Sequence, residues 1–244
     1  MAYLILSDLH GNREALDAVL EDAQRACPEG FKAVLCLGDL VGYGADPSYT
    51  IHWAKTTPQA VIRGNHDKLC CGLDALELYN PSAQASAKWT SQVLKHDEFE
   101  YLRALGRGPL RFEGFDLVHG SPRDEDEYLI QPGHADEVRP YVDCQLTFFG
   151  HTHVQGGFLI TNGGTASLSA VQTLELEPDH YYLVNPGSVG QPRDRDPRAA
   201  YSIYYPEGRY VEFRRVNYDI DKASKKILDA GLPSSLAARL FEGR

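Results

Sequence analysis

The sequence has little that would tie it to a membrane, a secretory route or a nucleic-acid lattice. No run of about 18 apolar residues occurs, so no segment reads as a membrane span. Met1 leads at once into the apolar run Tyr3-Leu4-Ile5-Leu6, without the basic flank and cleavage site of a signal peptide. Five cysteines, at 27, 36, 70, 71 and 144, make an odd count with no C-x-x-C spacing. That argues against a disulfide framework and for reduced, buried thiols. No basic block relieves the formal net charge of −10. Phosphate contacts dominate nucleic-acid affinity, so long nucleic acid is a disfavoured partner, although a positive site made by bound metals lies outside this sum. Together these absences predict a soluble, cytoplasmic protein.

What is present is alternation. The 244 residues are 43% apolar, and a chain of this length buries roughly 70–75% of its unfolded surface in one core. One domain over 1–244 is the expectation. Short apolar runs at Tyr3–Leu6, Ala33–Leu37, Ala60–Ile62, Phe115–Val118 and Gln145–Phe149 read as strands, separated by helical patterns. Asn12 can cap a helix with the stripe Ala15, Leu16, Val19, Leu20 and Ala23. Ser48–Lys55 and Ala135–Tyr141 read as shorter helices. Leu69 to about Leu105 reads as a helical insert long enough to cover a site, clearest over Ser82–Leu94. The texture then changes to consecutive strands at 158–160, 171–175, 181–184, 200–205 and 210–216, with helices at Ile220–Ala230 and Ser235–Phe241. The class is α/β with two sheets.

Polar clusters follow the first five strands. They are Asp8-Leu9-His10, Asp39, Asn65-His66, His119 and His151-Thr152-His153. In open α/β sheets the carboxyl ends of the strands line one edge, where ligands bind. Residues i and i+2 of an extended chain project to one side, so Asp8 and His10 can reach one metal, and His151 and His153 can face one pocket. Carboxylate, imidazole and amide donors together suit Mn, Fe, Zn, Co or Ni better than Ca. Each cluster alone reads equally as a cap or a turn. The ordered series has no physical rationale apart from metal chemistry.

The series Asp8-x-His10, Gly38-Asp39, Gly64-Asn65-His66-Asp67, His119 and Gly150-His151-Thr152-His153 resembles the calcineurin-like metallophosphoesterase superfamily over positions 4 to about 155. Asn185-Pro186-Gly187-Ser188 resembles its small bacterial and archaeal phosphodiesterase branch. The resemblance implies a four-layer α/β/β/α sandwich of two mixed sheets. It implies that Asp8, His10, Asp39 and His153 hold one divalent metal, and that Asp39 bridges to a second held by Asn65, His119 and His151. A metal-bridging hydroxide would attack a small phosphate ester, a phosphodiester or nucleotide, with His66 as general acid.

The sequence departs from the protein Ser/Thr phosphatases of that superfamily. Gly42 stands where they carry the Asp that partners the acid histidine, and Tyr43 where they carry a phosphate-binding Arg. Tyr43 lies four residues after Asp39, against three for the tyrosinate ligand of purple acid phosphatases. Three further residues are open to substrate contact. Arg63 can reach phosphate or pair with a nearby carboxylate, Tyr43 can stack on a base or contact phosphate, and Arg193 can approach the substrate. The alternatives are dinucleoside polyphosphate or phosphoprotein hydrolysis, a repair nuclease, and a catalytically inactive scaffold of the same fold. The sequence leaves the oligomeric state open.

Overall fold

In the first strand, β1 (Tyr3–Leu6), Tyr3 and Ile5 pack to one side and Leu4 and Leu6 to the other, all four buried. A strand hidden on both faces belongs inside a layered structure. The computed structural model describes residues 1–244 and supplies the layers. After β1 come α1 (Arg13–Ala26), β2 (Ala33–Cys36), α2 (Pro47–Thr56), β3 (Ala60–Val61), α3 (Asn65–Cys70), α4 (Pro81–Val93) and α5 (His96–Ala104). Then follow β4 (Leu110–Phe112), β5 (Phe115–Leu117), α6 (Pro132–Val138), β6 (Leu146–Phe148), β7 (Gly156–Thr161), β8 (Gly164–Ser169) and β9 (Thr173–Glu175). β10 (Tyr181–Asn185), β11 (Ala199–Tyr205), β12 (Tyr210–Val216), α7 (Ile220–Asp229) and α8 (Ser234–Glu242) close the chain.

The strands form two six-stranded sheets, ordered β3-β2-β1-β11-β12-β9 and β4-β5-β6-β10-β7-β8. Within the first, β1, β2 and β3 are parallel and the β1–β11 pair is antiparallel. Within the second, β5, β6 and β10 are parallel. Tyr3, Ile5 and Leu35 of one sheet pack against Phe115, Phe148 and Val184 of the other in a shared core. On its outer face the first sheet meets Leu16 and Val19 of α1 and Ile51 of α2. On its outer face the second meets Ala135 and Val138 of α6. This is the four-layer α/β/β/α sandwich of two mixed sheets.

Local chemistry sets the element ends. Asn12 caps α1 by accepting from the Ala15 amide at 3.1 Å, and Asn80 caps α4 in the same way through Ala83. Leu69–Leu105 is not one helical run: it holds the end of α3, a single 3-10 turn, α4 and α5, and α3 already begins at Asn65. Two strands carry no pattern that marks them in the sequence, β4 and β8. β8 reads Gly-Thr-Ala-Ser-Leu-Ser with no buried residue, and it lies at the edge of its sheet. No helix is long and apolar enough to cross a membrane.

Candidate metal centre

The chain leaves the parallel strands through sharp turns, not extended continuations. Asp8, His10, Asp39, His151 and His153 all have φ between 47° and 65°. That left-handed region is uncommon for residues with side chains and costs roughly 1–3 kcal/mol at each position. The convergence of Asp8 with His10, and of His151 with His153, therefore comes from turn geometry and not from the two-residue repeat of a strand. Backbone hydrogen bonds lace the turns together. The Asp8 amide donates to Gly38 O at 3.0 Å, and the His10 amide to Asp39 O at 2.9 Å.

Two groups of buried side chains result. Asp8, His10, Asp39 and His153 form one, and Asp39, His119 and His151 the other, with the ligand atoms of each within 4.8 Å of one another. Asn65 Oδ1 lies 3.1 Å from His119 Nε2, beside the second group. Asp39 faces both: its Oδ2 is 3.6 Å from His10 Nε2 and 3.5 Å from His119 Nε2. Its Oδ1 accepts the His66 amide at 2.8 Å, whereas Oδ2 is buried without a hydrogen bond. A Cβ at position 64 would collide with this carboxylate, which makes glycine the residue that fits there.

The imidazoles are set by their outer nitrogens. Nδ1 of His10, His119 and His153 faces the carbonyls of Val41, Leu37 and Gln191 at 3.0, 2.8 and 2.6 Å. His151 is turned the other way, with Nε2 3.1 Å from Asp126 O. A carbonyl only accepts, so each of these nitrogens carries the hydrogen, and the opposite nitrogen of a neutral ring offers a lone pair. His10 and His153 then bring two lone pairs to 3.1 Å of each other. Lone pairs this close, beside an unpaired carboxylate oxygen, fit a shared cation, and outer hydrogen bonds of this type orient metal-binding histidines.

Protonation follows burial and charge. Burial holds His10 well below the ordinary histidine value and pushes His151 down to about 3. Burial also opposes charge on His119, but the Asp39 and Asp8 carboxylates outweigh it and raise this ring to about 10. Asp8 and Asp39 are depressed against the cost of burial, by His153 and His119 respectively as the leading partners. A proton on His119 thus partly neutralises the carboxylates, as a metal would more fully.

His66 lies against the same cluster, its ring centre 5.0 Å from His10 and 4.3 Å from Tyr43. Burial pushes it down to about 4, over the opposing field of Asp39, and its Nδ1 is buried without a partner. Asp67 does not orient it. That carboxylate accepts instead from the Gly64, Leu40 and Val41 amides at 3.0, 2.8 and 3.3 Å, tying the turn after β3 to the turn after β2. Burial, then the Asp39 charge, raises Asp67 to about 7. Gly42 explains its own presence: a Cβ there would stand 2.7 Å from His66 Nδ1, at a φ of +85°.

The three outer residues are placed differently. Arg63 is held in an ion pair with Glu125 at 2.8 Å. Tyr43 is buried, with the Arg193 guanidinium 5.6 Å from its ring centre. Burial raises the Tyr43 hydroxyl, and Arg193 partly offsets this. The mouth is a cleft of about 280 Å³ between Asn65, His66 and His151 on its floor and Tyr43, Tyr79, Asn80 and Tyr128 on its sides. The insert thus supplies one wall, through Asp74, Leu78, Tyr79 and Asn80.

Sequence reasoning missed two contributors. Tyr128 lies against His151, the rings tilted by 38° with centres 3.8 Å apart, and nothing local to Tyr128 signals this. The Asn185–Gln191 loop had a signal in its Asn-Pro-Gly-Ser run, read only as a likeness. It is a buttress: Asn185 Nδ2 donates to Gly150 O at 2.9 Å, and Ser188 Oγ to Asp8 O at 2.8 Å.

A two-sheet sandwich whose parallel strand ends gather carboxylates and imidazoles into a buried, cation-shaped cluster defines a metal-dependent hydrolase class. The chain belongs to the calcineurin-like phosphoesterase superfamily, whose domain model matches residues 1–207. It is 38% identical to an uncharacterised protein of Methanocaldococcus jannaschii, over 98% of this chain and 97% of that one. The structure resembles a metallophosphoesterase from Sphaerobacter thermophilus, with 36% identity, a TM-score of 0.86 and coverage of 100% and 99%. A hypothetical protein from Pyrococcus horikoshii OT3 is similar at 25% identity and a TM-score of 0.82, with coverage of 100% and 98%.

Proposed function

We propose that this phosphoesterase hydrolyses a small phosphate ester, a phosphodiester or a nucleotide, with two divalent transition-metal ions. The observation that carries the reading is the sharing of Asp39 by two donor groups, its Oδ2 free of any hydrogen bond. Asp8, His10, Asp39 and His153 would hold one ion, and Asp39, Asn65, His119 and His151 the other. Bound there, the metals neutralise phosphoryl charge and lower the pKa of a water towards ~7. The mixed nitrogen and oxygen donors favour Mn, Fe, Zn, Ni or Co. The restricted mouth favours a small ester over a folded phosphoprotein or long nucleic acid. One catalytic domain over 1–244 in the cytoplasm fits five buried cysteines that are all unpaired.

His66 is the residue proposed to serve the leaving group. It is neutral at pH 7 by burial, and its Nδ1 is shut into the protein. Its Nε2 is then the nitrogen left to give a hydrogen bond to the departing oxygen, and a proton when the ring is in its charged form. An anionic substrate beside the ring counteracts part of the burial penalty on its charged form.

The test is metal removal. Chelated protein should lose hydrolysis of bis(p-nitrophenyl) phosphate and regain it with Mn²⁺. Asp39→Asn should lose both bound metal, read by elemental analysis, and activity. Activity that persists in chelated protein or in metal-depleted Asp39→Asn would sink the reading.

A further inference from the structure

A second cleft, of about 550 Å³, opens beside the mouth of the metal centre and shares Tyr43, Asn80 and Tyr128 with it. Its remaining wall comes from Arg193, from α8, which contributes Arg239, and from Arg244 just past that helix. The chain carries 34 acids against 24 Lys and Arg, and nine of its 16 arginines are paired with those acids. Arg239 forms no ion pair and donates no side-chain hydrogen bond within the protein. Arg193 has one side-chain acceptor, Gln191 Oε1 at 3.3 Å, and otherwise lies over the Tyr43 ring. The cleft does include one acid, Glu242, but Glu242 is already engaged by Arg244 at 3.2 Å. Two guanidinium groups without carboxylate partners thus share one opening in a protein of net charge −10.

A guanidinium offers five donors in a fixed fork that matches phosphate or carboxylate, and it cannot discharge by losing its proton. Unpaired beside a cleft, such groups attract an anion from solution, and partial exclusion of water strengthens the contact.

We propose that Arg193 and Arg239 form a distal anion subsite, and that the substrate is a phosphate ester carrying a second anionic group, a phosphate or a carboxylate. This deepens the phosphoesterase reading and rests on it for the position of the scissile phosphoryl group at the metal centre. The linking part of the substrate would cross the shared rim at Tyr43, Asn80 and Tyr128. Arg239 reaches the subsite from α8, so the C-terminal helices take part in selecting the substrate.

The test uses the Mn²⁺-loaded full chain and non-hydrolysable ligands. Calorimetry would compare alkyl monophosphonates with α,ω-alkane bisphosphonates of increasing spacer length, and with ω-carboxyalkyl phosphonates. At one spacer length a second anion should tighten binding by about ten- to hundred-fold, the worth of a charge-assisted pair. The phosphonate and carboxylate arms then separate the two anion types. In Arg239→Ala and in Arg193→Ala the preference should fall below about three-fold, in Arg239→Glu it should vanish, and Arg239→Lys should keep part of it. Melting temperatures check that each variant is folded. No preference at any spacer length, or a preference unaltered in folded Arg239→Ala and Arg239→Glu, would overturn the proposal. A lost preference in a protein that hydrolyses no ester would uphold the subsite and overturn the phosphoesterase reading, so the two fail separately.

Discussion

At the scale of residues, the centre is an arrangement of nitrogens with assigned directions. His10, His119 and His153 commit Nδ1 to carbonyls, and His151 commits Nε2. His66 is different, because its inner nitrogen has no partner. That difference separates the role of His66 from those of the other four. His66→Ala should leave metal content unchanged while lowering kcat by about 10²–10⁴-fold, the usual worth of a placed proton donor. The loss should shrink as the leaving group becomes a better one, from an alkyl to a p-nitrophenyl ester. An equal loss for both esters would place His66 outside leaving-group chemistry. Identity and order of these residues were legible in the sequence, because each is a rare side chain in a strand-terminal position. Their orientation was not. It depends on carbonyls such as Gln191 O, 38 residues from the ring it holds.

At the scale of elements, the turns matter more than the strands. The clearest strands and helices stood out by apolar periodicity, as in α1, where Ala15, Leu16, Val19 and Ala23 are all buried. β8 did not, because an edge strand with no buried residue needs no apolar alternation. The left-handed ligand turns were also invisible, since their φ values are imposed by neighbouring loops and oppose the local preference of Asp and His. The Asn185–Gln191 loop is one source of that imposition. Ser188 Oγ is buried, donates to Asp8 O at 2.8 Å and accepts the Gln191 amide at 2.8 Å. Ser188→Ala strands the Gln191 amide, while Asp8 O keeps the Gly190 amide at 2.9 Å, at a cost of about 1–3 kcal/mol. It should also weaken metal binding by about 10–100-fold, the usual effect of removing a support behind a ligand. Thermal melting with and without Mn²⁺ would check both. A variant that melts lower but binds metal as tightly would confine the loop to general stability.

At the scale of the whole molecule, the centre gathers side chains from the strand ends of both sheets, and its charges are removed from water. Burying ionisable groups makes folding depend on pH. His10, His66 and His151 all take protons less readily in the folded chain than at their ordinary value of 6.5. Below about pH 6.5 the unfolded chain therefore binds protons at these three rings that the metal-free fold refuses. Asp67 acts in the opposite sense, since it is raised to about 7 and holds a proton in the fold that the unfolded chain lacks until about pH 4. His119, raised to about 10, is charged in both states below 6.5. Its contribution is fully present there and is lost as pH rises towards 10. The net excess is about two protons on the unfolded side, so metal-free stability should fall as pH drops from about 6 to 4, by roughly 3 kcal/mol per unit at its steepest. Bound metal requires His10 and His151 to stay unprotonated, so acid should release metal over the same window. Urea midpoints of chelated protein from pH 8 to pH 4 would measure the slope, and a flat profile would show that these rings are not withheld from protons in the fold. The Asp67→Asn variant sharpens the test. Without the proton that Asp67 retains, the acid slope should steepen by about 1.4 kcal/mol per unit between pH 4 and 7.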